Sequence, residues 1–152
     1  AGIAGTVSVL NNEDIKLLLW QSKTYTDDEL DMLAKITEAE VEGKDIESKK
    51  NVVSVILNRL YSDNFPTTIK KVIFDKGQFE SVDNGRYKKA EPTDETIQAI
   101  EDVLENGTTT EATYFCNYDN VKSSKMKKWF KSKLKFLFKD YANHSFFIEK
   151  EE

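Results

Sequence analysis

The sequence is poor in the residues on which most reaction chemistries depend. It has one cysteine (Cys116), one histidine (His144) and two arginines (Arg59 and Arg86) in 152 residues. A lone cysteine forms no intrachain disulfide and leaves the redox compartment unread. Structural zinc takes about four Cys/His ligands and catalytic zinc about three that include histidine. No metal is therefore expected, and a zinc amidase or zinc peptidase does not fit. Two arginines supply little bidentate recognition of phosphates or base edges, so nucleic acid is not an expected partner. Apolar runs such as Val52–Val53 and Val55–Leu57 are far too short for a transmembrane helix, and membrane insertion is not expected. The start, Ala1-Gly2-Ile3-Ala4-Gly5, has no methionine or charged n-region and reads as a mature, trimmed or tagged end. What is left for an enzyme is carboxylates, hydroxyls, or one Cys–His or Ser–His pair, with no cofactor.

Charge is present in quantity and unevenly placed. Lys122 to Lys139 holds eight lysines and no acid. The formal net charge is −5, so the other residues together carry −13. Asp27 to Glu47 alone holds nine acids against Lys35 and Lys44. Such a split points to a polyanionic partner at one end and carboxylate chemistry at the other. A solvated lysine face, with Leu134, Phe136 and Phe138 turned inward, is equally compatible with the basic stretch.

Periodicity divides the chain into an arm or linker over 1–25, including the apolar segment Ile15–Trp20, and one domain over 26–152. Thr26 and Glu29 have capping-box spacing, and Leu30, Leu33, Ala34, Thr37 and Val41 then recur at helical intervals up to Gly43. A second helix is expected over about Ile46–Tyr61, with Val53, Ile56, Leu57, Leu60 and Tyr61 as its inner stripe. Thr67 or Thr68 caps a short helix carrying Ile69, Val72 and Ile73. Asn84-Gly85 carries the signal of a tight hairpin, which predicts a two-stranded ribbon over about Gln78–Tyr87. Thr93 opens a helix closed by Asn106-Gly107, and Ser123 or Ser124 caps another holding Met126, Trp129 and Phe130. Strands are expected at Ala112–Asn117, around Leu134–Phe138, and at His144–Ile148. The fold class is α+β, with a small ribbon and C-terminal strands and no repeated βαβ unit.

Three glutamates end the first helix, and the helical wheel separates them. Glu40 lies about 60° from the centre of the apolar stripe, Glu38 about 100° and Glu42 about 140°. Glu40 is thus expected to be the most desolvated, which favours the neutral carboxyl that a proton donor needs. A solvated acidic helix face remains the alternative at this level.

Leu33-Ala34-Lys35-Ile36-Thr37-Glu38-Ala39-Glu40, then Gly43, Glu47 and Val53-Ser54-Val55-Ile56-Leu57-Asn58-Arg59, resemble the SleB/CwlJ family of cell wall hydrolases. Phe65 to Phe74, Gly77-Gln78-Phe79-Glu80-Ser81-Val82, Tyr114-Phe115-Cys116-Asn117 and Asn143-His144-Ser145-Phe146-Phe147 extend the resemblance in register. The chain departs from the family pattern at Lys44, Ser48 and Ser145-Phe146-Phe147. The resemblance implies a lysozyme-like, lytic transglycosylase-like helical domain that cuts peptidoglycan glycan strands between N-acetylmuramic acid and N-acetylglucosamine. It also implies that Glu40 is the general acid and base, and an extracytoplasmic place in the cell wall or spore cortex, or on a phage. Glu47, Gln78, Phe79, Tyr114 and Asn117 are candidate substrate-binding residues, with Gln78 and Phe79 on the ribbon. Asn58, Arg59 and His144 are candidate supports.

Three rival readings stay open. Glu47 as a second carboxylate would make the enzyme a hydrolytic muramidase. Cys116 and His144 as a dyad would make it a peptide or amide hydrolase. Without catalysis it would be a wall-binding module of a spore-coat or phage-tail assembly. As an isolated domain the chain is expected to be monomeric.

Overall fold

The computed structural model describes residues 24–151. The arm expected over 1–25 thus lies outside the described residues, apart from Thr24 and Tyr25; Tyr25 packs against the core.

Local signals start the helices where the sequence places them. In α1 (Asp27–Val41), the Thr26 hydroxyl accepts from Glu29 N and the Glu29 carboxylate accepts from Thr26 N, so two orphan amides are satisfied reciprocally. Gly43, at φ +73°, turns the chain after the helix in a conformation that a side chain disfavours. Side-chain caps from Asp45, Thr68, Thr93 and Ser123 open α2 (Ile46–Leu60), α3 (Ile69–Phe74), α6 (Asp94–Asn106) and α7 (Ser124–Lys133).

The second helix is more deeply set than an amphipathic stripe implies. Every residue of α2 from Asn51 to Leu60 is buried. Its apolar side (Val52, Val53, Ile56, Leu57) joins the main core with Leu33, Ile36, Ile69, Ile73, Ile100 and Val103. Four of its polar residues, Asn51, Ser54, Asn58 and Arg59, reach the segment that follows α6. Ser54 Oγ and Asn51 Oδ1 hold Thr109, Asn58 Nδ2 donates to the carbonyls of Thr110 and Ala112, and Arg59 Nε donates to the carbonyl of Thr113. Buried polar groups need partners, and these partners pin the chain that leads into the sheet.

That sheet has three antiparallel strands in the order β1-β3-β2, with β1 at Tyr114–Cys116, β2 at Leu134–Lys139 and β3 at Ser145–Glu149. Phe136 is paired with Phe147 but Phe138 with Phe146, so the register shifts by one residue between them. One extra residue in a strand moves the following side chains to the opposite face. Phe138 therefore stacks on Phe146, with ring centroids 4.7 Å apart and planes 4° apart, while Phe136 is left 55% exposed. The simple alternation that would have buried Phe136 is overturned by this bulge.

The ribbon expected over Gln78–Tyr87 is absent. Two single-turn helices, α4 (Glu80–Asp83) and α5 (Arg86–Lys89), stand there instead. Gly85 does have the left-handed φ (+87°) that a hairpin requires, but Asn84 ends α4 at φ −90° and ψ 1°. A positive-φ glycine serves a helix junction as well as a tight hairpin, and the dipeptide does not distinguish them.

Candidate active site

A cleft of about 660 Å³ opens between the end of α1, the Gly77–Glu80 segment, β1 and α7. Glu80, the first residue of α4, lines it beside Gly77 and Gln78. Glu40, the penultimate residue of α1, points into this cleft with a side chain 14% exposed. Burial raises its carboxyl above the ordinary carboxylate range, and the Ser81 hydroxyl and the Arg86 guanidinium oppose that shift. The neighbouring charge of Glu80 reinforces it, and Arg59 pulls weakly the other way. Arg86 Nη2 stands 3.5 Å from Glu40 Oε2 but is itself mostly exposed, which makes it a weak, solvent-screened partner. The result is a carboxyl favoured in its neutral form beside a space wide enough for a polymer.

The wheel's ranking of the three glutamates is corrected in one respect. Glu38, at 4% exposure, is more buried than Glu40, and Glu42 is exposed. The N-terminal turn of α6 covers Glu38, whose Oε1 accepts from Thr93 N (2.9 Å) and Thr96 Oγ1 (2.7 Å). The carboxylate thereby satisfies an orphan backbone N–H at the start of α6 and a buried hydroxyl. Glu38 is a structural cap on α6, and Glu40 is the carboxyl that faces the cleft.

Arg59 organises the floor of the cleft. Only 4% exposed, it donates from Nε to the Thr113 carbonyl (2.7 Å) and from Nη1 to Gln78 Oε1 (3.4 Å). Its guanidinium lies 4.7 Å from the ring centroid of Phe65, 5.4 Å from Phe79 and 5.3 Å from Tyr114. Burial brings its pKa down to about 10, which leaves it charged at neutral pH.

The other expected site residues separate into three groups. Gln78, Tyr114, Asn117 and His144 line the cleft with Glu40. Phe79 does not; it is 3% exposed and packs beneath Arg59 and against Phe115, so it supports the wall from the core. Asn58 is likewise a buried anchor for the chain before β1. Glu47 is not brought to the cleft. It is exposed at the start of α2, ion-paired with Lys50 at 3.4 Å beside a separate hollow. Its distance in sequence from Glu40 spans a tight turn, which carries it round to another face.

Cys116 and His144 both line the cleft, but their environments work against a thiolate. Burial pushes the Cys116 thiol up to about 11 and lowers His144 below the usual imidazole range. The thiol stays protonated and the imidazole neutral. His144 packs edge-on against Phe115 at 5.4 Å, and its Nδ1 is buried without a protein partner. If the implied cell wall lysis is this chain's activity, Cys116→Ala is expected to keep it in full, measured as clearance of a peptidoglycan suspension; loss of clearance with the fold intact would restore the dyad.

Several residues were not picked out from the sequence: Glu80, Lys125, Met126 and Trp129, which line the cleft, and Arg86, which pairs with Glu40. Scarcity was the available signal for Arg86. The chain has only two arginines, and both bear on Glu40. Among the described residues no group of three or more His, Cys, Asp or Glu side chains is arranged to hold a metal.

Known proteins resemble this chain in sequence and in fold. A family model described as Cell Wall Hydrolase matches residues 43–147, starting just beyond Glu40. The chain is similar to the spore cortex-lytic enzyme of Oceanobacillus iheyensis, 34% identical over 101 residues that make up 65% of this chain and 36% of that protein. It is similar also to the spore cortex-lytic enzyme of Bacillus subtilis, 31% identical over 101 residues, 65% of this chain and 32% of that protein. The chain spans about a third of the length of these curated relatives. Among solved structures it resembles the catalytic domain of the germination-specific lytic transglycosylase SleB from Bacillus anthracis. There the TM-score is 0.69 at 27% identity, over 82% of this chain and 98% of that one. The catalytic domain of the Bacillus cereus SleB protein matches equally well, with a TM-score of 0.69 at 26% identity, covering 82% of this chain and 93% of that one. The α+β, lysozyme-like fold expected from the sequence is therefore present, without the ribbon.

Proposed function

The chain belongs to the cell wall hydrolase family, and on that premise we propose that it cuts peptidoglycan glycan strands as a lytic transglycosylase. Glu40 is the acid and base of this reaction. The observation that carries the assignment is the side chain of Glu40, 14% exposed and raised by burial, at the wall of a large open cleft. The names of the relatives favour spore cortex as the substrate and an extracytoplasmic site of action.

Glu40 in its neutral form donates its proton to the glycosidic oxygen that joins N-acetylmuramic acid C1 to N-acetylglucosamine, as the C1–O bond breaks. The carboxylate so formed takes the proton of the muramic 6-hydroxyl while that oxygen bonds to C1. The sugar closes into an anhydro ring, no water is consumed, and Glu40 ends protonated as it began. One acid/base group is sufficient because the nucleophile is internal to the substrate.

A hydrolytic reading has one observation in its favour. Glu80 lines the same cleft, and its charge acts on Glu40, so a second carboxylate is available to activate water. Mass spectrometry of digested peptidoglycan separates the two. Anhydro-muramic ends are the expected product. Reducing muramic ends would establish hydrolysis, and cleaved stem peptides with intact glycan would overturn both.

A further inference from the structure

We propose that the α7 wall of the cleft is a saccharide subsite for a muramyl unit bearing a free carboxylate, with Trp129 stacked on the sugar ring and Lys125 paired with the anion. The identity of the polymer rests on the function proposed above; the chemistry of the subsite rests on α7 itself.

The spacing of Lys125, Met126 and Trp129 puts all three on the side of α7 that lines the cleft. Trp129 is 41% exposed and Met126 51%, although both are large and apolar. The indole is nevertheless held in place, edge-on to Tyr114 (5.7 Å, 69°) and to Phe130 (5.4 Å, 88°). A braced, half-open aromatic ring loses little freedom on binding and offers a flat apolar surface to the C–H face of a sugar.

The charge at this end of the cleft is unspent. Among the described residues Lys125 is the only lysine that lines the cleft, and it makes no ion pair there. No acid occurs between Lys122 and Lys139 to neutralise it. Arg59, the other cation lining the cleft, is enclosed by its aromatic cage and already bonded to Thr113 and Gln78. The acids lining the cleft, Glu40 and Glu80, stand on other elements, α1 and α4. A strand with carboxylates is drawn toward α7 and repelled from those acids, which orients it across the cleft. In a polymer of alternating amino sugars only the muramyl unit carries such a group, as its lactyl carboxylate or on its stem peptide. Lys125 therefore distinguishes the two sugars, whereas Trp129 serves either.

Binding is tested in the Glu40→Gln background of the full chain by calorimetry, so that nothing is cut during the titration. The probes are chitohexaose, which is neutral; glycan strands stripped of peptide, which keep the lactyl carboxylate; and strands with their stem peptides. Trp129→Ala should weaken all three about tenfold, and Trp129→Phe should recover most of that loss. Lys125→Glu should weaken the anionic strands about fivefold and leave chitohexaose unchanged. A loss confined to peptide-bearing strands would assign the anion to the peptide, a loss confined to stripped strands would assign it to the lactyl carboxylate, which the amide bond to the peptide otherwise masks, and a loss on both would mean that the subsite accepts either anion. Equal weakening of all three probes by Lys125→Glu, no effect on any, or an unchanged Trp129→Ala would overturn the subsite. A chain that binds in the expected pattern but releases no fragments in its wild-type form would instead overturn the catalytic reading alone.

Discussion

Glu40→Gln is expected to lower the rate of glycan cleavage by at least about a thousandfold while leaving the protein folded. The amide keeps the size and position of the carboxyl but neither gives nor takes a proton at neutral pH. The effect on stability has a definite sign. Glu40 protonates above the ordinary carboxylate value of 4.5 in the folded state. Its contribution to stability is therefore complete below that ordinary value and is lost as the pH rises through the raised folded value. Above the raised folded value the wild type bears the cost of an ionised, poorly solvated carboxylate, which glutamine removes. The variant should melt at or above the wild-type temperature, and wild-type activity should fall on the alkaline side as Glu40 loses its proton. Turbidity clearance and thermal melts check both outcomes. Clearance at the wild-type rate would remove Glu40 from the mechanism and leave a wall-binding module as the better account.

Arg59→Ala is expected to cost about 3 kcal/mol of stability, the largest loss among the cleft residues. The substitution leaves the buried Thr113 carbonyl unpaired, frees Gln78, and empties the space between the rings of Phe65, Phe79 and Tyr114. The melting temperature should fall by about 10 °C. Arg59→Lys should recover little. An ammonium does not provide the planar fork that reaches Thr113 and Gln78 together while lying against three rings. Activity should fall further than stability alone explains, because Arg59 joins the Gln78 side of the cleft to the start of β1. Urea denaturation of both variants measures the loss. A stability change below about 1 kcal/mol would mean that the guanidinium is replaceable and does not organise the cleft floor.

Much of this architecture could be read from local chemistry. The Thr26–Glu29 capping box, the Thr93 and Ser123 caps, and the stop at Gly43 each act within about one helical turn, where a sequence states its own hydrogen bonds. The features that escaped depend on two segments meeting. Asn84-Gly85 specified a left-handed glycine but not whether helices or strands would flank it. The register shift after Phe136 lies in the pairing of β2 with β3, so no alternation within β2 reveals it.

The carboxylates show where the boundary lies. The sequence by itself narrowed the chemistry to carboxylates, hydroxyls, or one Cys–His or Ser–His pair, since it holds one cysteine and one histidine. It also determined that Glu40 stands on the inner side of its helix, because the period of an α-helix relates each residue to the apolar stripe. Only the tertiary structure decided that Glu38, although farther from that stripe, is the more buried, and that α6 consumes it as a cap. It also decided that Glu47 faces elsewhere, while Glu80, Lys125 and Trp129 converge on Glu40 from distant parts of the chain. Burial is conferred by whatever packs over a residue, and here those covering elements come from far along the sequence. A helical wheel carries an angle and no neighbour, so it identified the catalytic candidate but not the residues that surround it.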